Sequence, residues 1–160
     1  MSGKPKIRLY NCLPEQRQEL REALSFYTEN LLGPKLSSNI RVNVTFVRDL
    51  RRNERRRGDV CWAKYDTERR PRTFRMRIDA DIGLRSKLFV IAHEVAHIKQ
   101  FARGELKGLG TTRTLWHGHR VASQSLSYWD YPWEIEARGM ELSLYVKWRR
   151  HKKNLKVHNS

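Results

Sequence analysis

The chain has 160 residues, of which 39% are hydrophobic and 31% charged: enough apolar material for one packed domain and too mixed for disorder throughout. Lysine and arginine number 33 against 17 acidic residues, a formal charge of +16, which points to an anionic partner, with nucleic acid the first expectation and an acidic protein or a membrane surface next. No window approaches the roughly 18 apolar residues of a membrane span, no apolar signal region opens the chain, and two cysteines, Cys12 and Cys61, exclude a disulfide framework, so a reducing cytoplasm is expected.

In chain order, Pro14-Glu15-Gln16 opens a helix to about Leu32, with Leu20, Ala23, Leu24, Tyr27 and Leu31 at helical spacing and Gly33-Pro34 to stop it. Val42, Val44 and Phe46 alternate with Asn43 and Thr45 at strand spacing. An arginine-rich stretch (Arg48, Arg51, Arg52, Arg55, Arg56, Arg57) reads as an exposed hairpin loop ending at Gly58-Asp59. A second strand runs from about Val60 to Tyr65 with Cys61 as a core residue, and a third from Thr73 to Asp79 puts Phe74, Met76 and Ile78 on one face and Arg75 and Arg77 on the other. From Leu84 to Arg103 the period is helical, with Leu88, Ile91, Ala92, Val95 and Ile98 on one side and Gly104 as the stop. Glu105 to Tyr131 reads as a glycine-containing loop. Pro132 opens a final helix to about Arg150, and residues 151–160 read as a frayed basic tail after a single domain spanning 1–150. Helix, three strands, helix, long loop and helix predict an α+β domain with an antiparallel or mixed sheet.

His93-Glu94-Val95-Ala96-His97 is an HExxH motif inside the strongest helical segment. Histidines four apart project from one helix face and can grip one metal ion, and Glu94 beside them can act as general base on a metal-activated water. A catalytic zinc site needs a third protein ligand. The long metzincin pattern is excluded, because its glycine and third histidine would fall on Gln100 and Arg103. The remaining candidates are Glu134, Glu136, His117, His119 and Cys61. On the final helix Glu136 shares its side with Ser143 and Lys147, a solvated face. Glu134 lies between two apolar wings, Ile135/Leu142/Val146 and Trp133/Ala137/Leu144, and is therefore read as inward and as the third ligand. His117 and His119 in Trp116-His117-Gly118-His119 are further candidates for polarising a substrate carbonyl.

HEVAH followed by a helix opening Trp133-Glu134-Ile135-Glu136-Ala137 resembles the gluzincin metallopeptidases, and its Glu-x-Glu-Ala form is closest to the small ImmA/IrrE-like and membrane-protease-type members. HEVAHIKQFARGEL and Tyr128-Trp129-Asp130-Tyr131-Pro132-Trp133-Glu134 also resemble small phage-encoded metallopeptidases of the SprT-like kind. The resemblance implies a zincin-like fold, Zn²⁺ on His93, His97 and Glu134, a peptide or protein substrate, and the cytoplasm of a bacterial host. True SprT domains use a third histidine, which keeps His117 and His119 as alternatives. It also implies an oxyanion-stabilising tyrosine, Tyr128 or Tyr131, and an edge strand before the active-site helix, here Thr73 to Asp79, that pairs with substrate and brings Arg75 and Arg77 to the cleft. The position four residues after the ligand, usually Asp or Asn, is Arg138 here. The expected function is zinc-dependent peptide hydrolysis on acidic or nucleic-acid-associated proteins, with Arg51, Arg52, Arg55, Arg56, Arg57, Arg75 and Arg77 as anion contacts. The competing expectation is a basic nucleic-acid-binding module with a structural metal site.

Overall fold

The computed structural model describes residues 3–67 and 69–159. Four strands form one sheet in the order β1-β2-β4-β3: β1 (Lys6–Tyr10), β2 (Arg41–Val47), β3 (Gly58–Trp62) and β4 (Thr73–Asp79). β1 and β4 run parallel to β2, and β3 runs antiparallel to β4, so the sheet is mixed. The parallel pairs need crossovers, and α1 (Pro14–Ser37) supplies the first. The short helix α2 (Leu50–Glu54) lies in the second connection, β2 to β3, which carries the chain past the end of β4. Two further helices follow, α3 (Leu84–Ala102) and α4 (Pro132–His158). Between them a three-stranded miniature sheet, β5 (Leu106–Lys107), β6 (Leu115–Trp116) and β7 (His119–Arg120), precedes two 3₁₀ turns.

One apolar cluster runs from Leu9 to Trp148, with Val42, Val44, Phe74, Met76 and Ile78 of the sheet packed against Leu88, Ile91, Val95 and Ile98 of α3 and Leu20, Leu24 and Tyr27 of α1. The alternate positions, including Lys6, Arg8, Arg41 and Arg75, are exposed on the sheet's other face. The sheet is therefore covered on one side only, and period-2 alternation is the sequence signature of that arrangement.

Several expectations change. β1 was not expected, and it makes the sheet four-stranded. β2 pairs with β4 rather than β3, so the arginine-rich stretch is a crossover containing α2 and not a hairpin loop. β4 is interior; the sheet edges are β1 and β3. The predicted second strand shifts to start at Gly58, where a Cβ would stand 2.6 Å from Val90 Cγ1 of α3, so only glycine lets strand and helix approach so closely. Cys61 points to the uncovered face and is exposed, because the register that buries Val60 and Trp62 turns it outward. Gly33, at φ 77°, kinks α1 without ending it, and the helix continues to Ser37. Residues 151–158 are helical, not frayed: Lys152 Nζ pairs with Glu19 Oε1 at 2.8 Å and His151 stacks on Phe26 at 4.9 Å.

Candidate metal centre and cleft

α3 and α4 pack side by side and bring the two halves of the site together. The apolar stripe of α3 faces the sheet, which leaves His93 and His97 one turn apart on the side toward α4. α4 begins at Pro132, whose fixed φ suits a first helical turn, and its buried face carries Trp133, Glu134, Ala137, Leu144 and Trp148. Only one of the two apolar wings expected beside Glu134 is buried, for Ile135 and Leu142 are 54% and 58% exposed and Val146 is also exposed. Glu134 faces inward on the strength of the other.

His93 Nε2 lies 3.0 Å from Glu134 Oε2, His97 Nε2 3.1 Å from Glu134 Oε1, and the two Nε2 atoms 3.2 Å from each other. Donors about 2.0–2.2 Å from a shared tetrahedral zinc ion stand about 3.3 Å apart, so this set fits one with little movement. The outer ring nitrogens are already engaged. His93 Nδ1 donates to Glu141 Oε2 at 2.9 Å, and His97 Nδ1 donates to Gln100 Oε1 at 2.7 Å. The Gln100 amide is oriented by its Nε2, which donates to Trp133 O at 3.0 Å and Glu136 Oε1 at 3.2 Å. With both Nδ1 protons committed outward, each Nε2 turns inward as a position that either a proton or a metal cation can occupy beside the Glu134 carboxylate.

The electrostatics agree. Burial pulls His93 down, but hydrogen bonds to Glu134 and Glu141 reverse this and push it up to about 10. Burial likewise raises Glu134, yet hydrogen bonds from both histidines and Tyr128 hold its carboxyl well below the usual range. The proton on His93 is the charge that a metal ion would replace. Glu94 is 5% exposed and accepts no such bonds, and burial pushes its carboxyl up to about 7 despite the nearby histidines.

The triad opens on a cleft of about 810 Å³ bounded by Glu94, the edge strand β3 at Gly58, Asp59 and Val60, the arginine-rich connection, and Tyr128, Trp129 and Arg138. Tyr128 Oη donates to Glu134 Oε2 at 2.8 Å. Arg138 Cζ sits 4.8 Å from the Trp129 ring and its Nη2 donates to Trp129 O at 2.8 Å.

The other expected site residues lie elsewhere. Tyr131 Oη donates to Ser123 O and its ring stacks on Trp133, away from the triad. His117 and His119 are exposed on and beside the miniature sheet and do not reach the His93–His97 pair. His117 instead groups with Glu105 and Glu136, but Lys99 Nζ pairs with both carboxylates, at 2.9 and 3.0 Å, and supplies the positive charge there. Glu136 is thus half-buried and ion-paired rather than solvated. Arg55, Arg56 and Arg57 rim the cleft; Arg51 and Arg52 are exposed on α2, outside it. Arg75 is on the uncovered sheet face, and Arg77 is held by Glu54 and Asp59. Sequence reasoning missed Glu141, which nothing local ties to a histidine, and Gln100, whose position three residues after His97 on one helix was the available signal. Comparison with family models, curated proteins and solved structures returned no match, so the site is read from its own chemistry.

Proposed function

We propose that the chain is a zinc-dependent metallopeptidase in which His93, His97 and Glu134 hold the metal and Glu94 is the general base. The observation that carries this reading is three side chains, His93, His97 and Glu134, whose nearest donor atoms stand 3.0–3.2 Å apart in each pair, with both imidazoles turned Nε2-inward, opening on a cleft that Glu94 lines. A zinc ion bound there supplies a Lewis acid that acidifies water toward a pKa of about 7 and polarises a scissile carbonyl. Glu94, buried beside the two histidines and lining the cleft, takes the proton of the attacking water and hands it to the leaving amine. Tyr128, whose hydroxyl already reaches a ligand oxygen, is the donor best sited for a developing oxyanion.

Substrate binding follows from the sheet edge. Ladder bonds at Arg57–Asp79 and Ala63–Thr73 set the antiparallel alternation, which turns the backbone groups of Gly58, Val60 and Trp62 to the free side of β3. An extended peptide adding there runs along the cleft. Arg55 and Arg57 on the rim have no ion-pair partner among the described residues and favour acidic segments. An open side toward a cleft favours catalysis over a closed structural site, which takes a fourth protein ligand.

The test is Glu94→Gln, assayed with a pool of quenched fluorescent peptides and with zinc content by mass spectrometry. The variant keeps its zinc and its fold and loses on the order of 10²–10⁴ in rate. Loss of zinc, or full activity, overturns the assignment, and so does zinc-loaded parent protein that cleaves nothing in the pool.

A further inference from the structure

The uncovered face of the sheet is built as an anion surface. Its outward positions form rows set by the register. Lys6 stands opposite Arg41 and next to Thr73; two residues further along, Arg8, Asn43, Arg75 and Cys61 line up across all four strands; Tyr10, Thr45, Arg77 and Asp59 form the last row. Strands about 4.8 Å apart, with about 6.7 Å between rows, put the backbone positions of Lys6, Arg8, Arg41 and Arg75 within roughly 12 Å of one another. All four are exposed, and none has an ion-pair partner among the described residues. Arg77, one row away, is by contrast neutralised by Asp59 and Glu54. Lys6 and Arg41 are like charges directly opposite on neighbouring strands, an arrangement that destabilises a sheet unless an anion bridges it.

We infer that this face binds single-stranded nucleic acid, the phosphates lying over Lys6, Arg8, Arg41 and Arg75 and a base stacking on Tyr10. Tyr10 is 46% exposed at the end of the cation rows and has no aromatic neighbour among the described residues, which leaves its ring available as a platform. The four cations sit on strands of a sheet face, not on a helix or a two-stranded ribbon of the kind that enters a duplex groove. Among the described residues the outward rows of this face carry no large exposed apolar side chain besides Tyr10, too little to insert into a bilayer. The placement differs from that expected of the arginine-rich connection, whose Arg55, Arg56 and Arg57 rim the cleft. It does not depend on the peptidase reading.

Fluorescence anisotropy with a labelled 20-nucleotide oligo(dT) at several salt concentrations tests it, against a duplex of equal length, polyglutamate and vesicles of anionic lipid. For the parent, log K falls linearly with log[salt], and the oligo(dT) is bound most tightly. Replacing the four cations together (Lys6→Gln, Arg8→Gln, Arg41→Gln, Arg75→Gln) reduces the slope by about 3 and weakens binding on the order of 10²–10³-fold at 0.1 M salt. Tyr10→Leu weakens it about fivefold or more with the slope unchanged. Arg55→Ser/Arg56→Ser/Arg57→Ser leaves binding close to the parent. Zinc content is unaltered throughout, which separates failure here from failure of the metal site. The single variants Arg8→Gln and Arg75→Gln, each lowering the slope by about 0.7, serve if the fourfold variant does not fold. Loss confined to the Arg55–Arg57 variant, polyglutamate or vesicles bound as well as oligo(dT), or no binding at low salt each overturn the proposal.

Discussion

Each imidazole of the triad is oriented from a different place. Gln100, one turn further along the same helix, aims His97, and Glu141 reaches across from α4 to aim His93. Glu141 lies seven residues after Glu134, so both carboxylates project from one face of α4, one to the inner nitrogen and one to the outer. That answers the Arg138 position: Arg138 turns to Trp129, and the carboxylate partner comes from a turn beyond. Removing Glu134 deletes a donor, whereas removing Glu136 deletes only a partner of Lys99 and Gln100. Glu134→Ala should therefore weaken zinc binding at least 100-fold and abolish zinc-induced stabilisation, which at 100 times Kd is about 2.7 kcal/mol, or about 5–10 °C in Tm. Glu136→Ala should keep both. Calorimetry with and without zinc checks the pair, and the reverse outcome would place the metal at the Glu105–His117–Glu136 group. The histidines and Glu94 were legible because their spacing is local to one helix. Glu134 was legible through the Trp133/Ala137/Leu144 wing alone; Glu141 reaches His93 only once the helices pack, and the amide of Gln100, though three residues from His97, is oriented by Trp133 and Glu136 of α4.

Among the elements, those with strong periodicity stood where the pattern put them: α1 from Pro14, β2, β4 and α3. β1 escaped notice because its five residues, with Ile7 and Leu9 set among Lys6, Arg8 and Tyr10, give a weak alternation in a basic N-terminus. Pairing could not be read at all, since β2 next to β3 in sequence suggests a hairpin, and only the crossover past β4 reveals otherwise. The turn from β3 to β4 is held by Asp66, whose carboxylate accepts from the backbone N–H of Thr67, Arg72 and Thr73 at 2.6–2.8 Å. Partial burial raises this carboxyl, but the three hydrogen bonds outweigh it and leave it below its ordinary value of 3.8. A carboxyl lowered by folding stabilises the fold above its unfolded pKa, and that stabilisation is lost as pH falls through the folded value. Asp66→Asn should thus cost about 1 kcal/mol at pH 7, or about 2–4 °C in Tm, and the difference from the parent should shrink below about pH 4. Thermal melts from pH 7 to pH 2 measure it; a constant gap would mean that the charge does not matter.

For the molecule as a whole, the excess positive charge was plain from composition, but its distribution was not. Part rims the cleft, part is neutralised around Arg77, and part lies on the uncovered sheet face, a division that depends on strand order. No helix among the described residues is long and apolar enough to cross a membrane. The two sheet edges are also unequal. On β1 the outward carbonyls of Ile7 and Leu9 are taken by guanidinium groups of α1, Arg21 Nη1 at 2.7 Å and Arg17 Nη1 at 3.3 Å, whereas β3 keeps its outer backbone groups open toward the cleft. A sheet with two open edges can add copies without limit and grow a fibre, whereas one with a single open edge is exhausted once two molecules have met. The arginines of α1 act in this sense as chain terminators. Arg17→Ala/Arg21→Ala should release that stop, and on mild heating it should give species beyond a dimer by light scattering while the parent does not; equal behaviour of the two would show that β1 is kept from pairing by its shape and not by its caps.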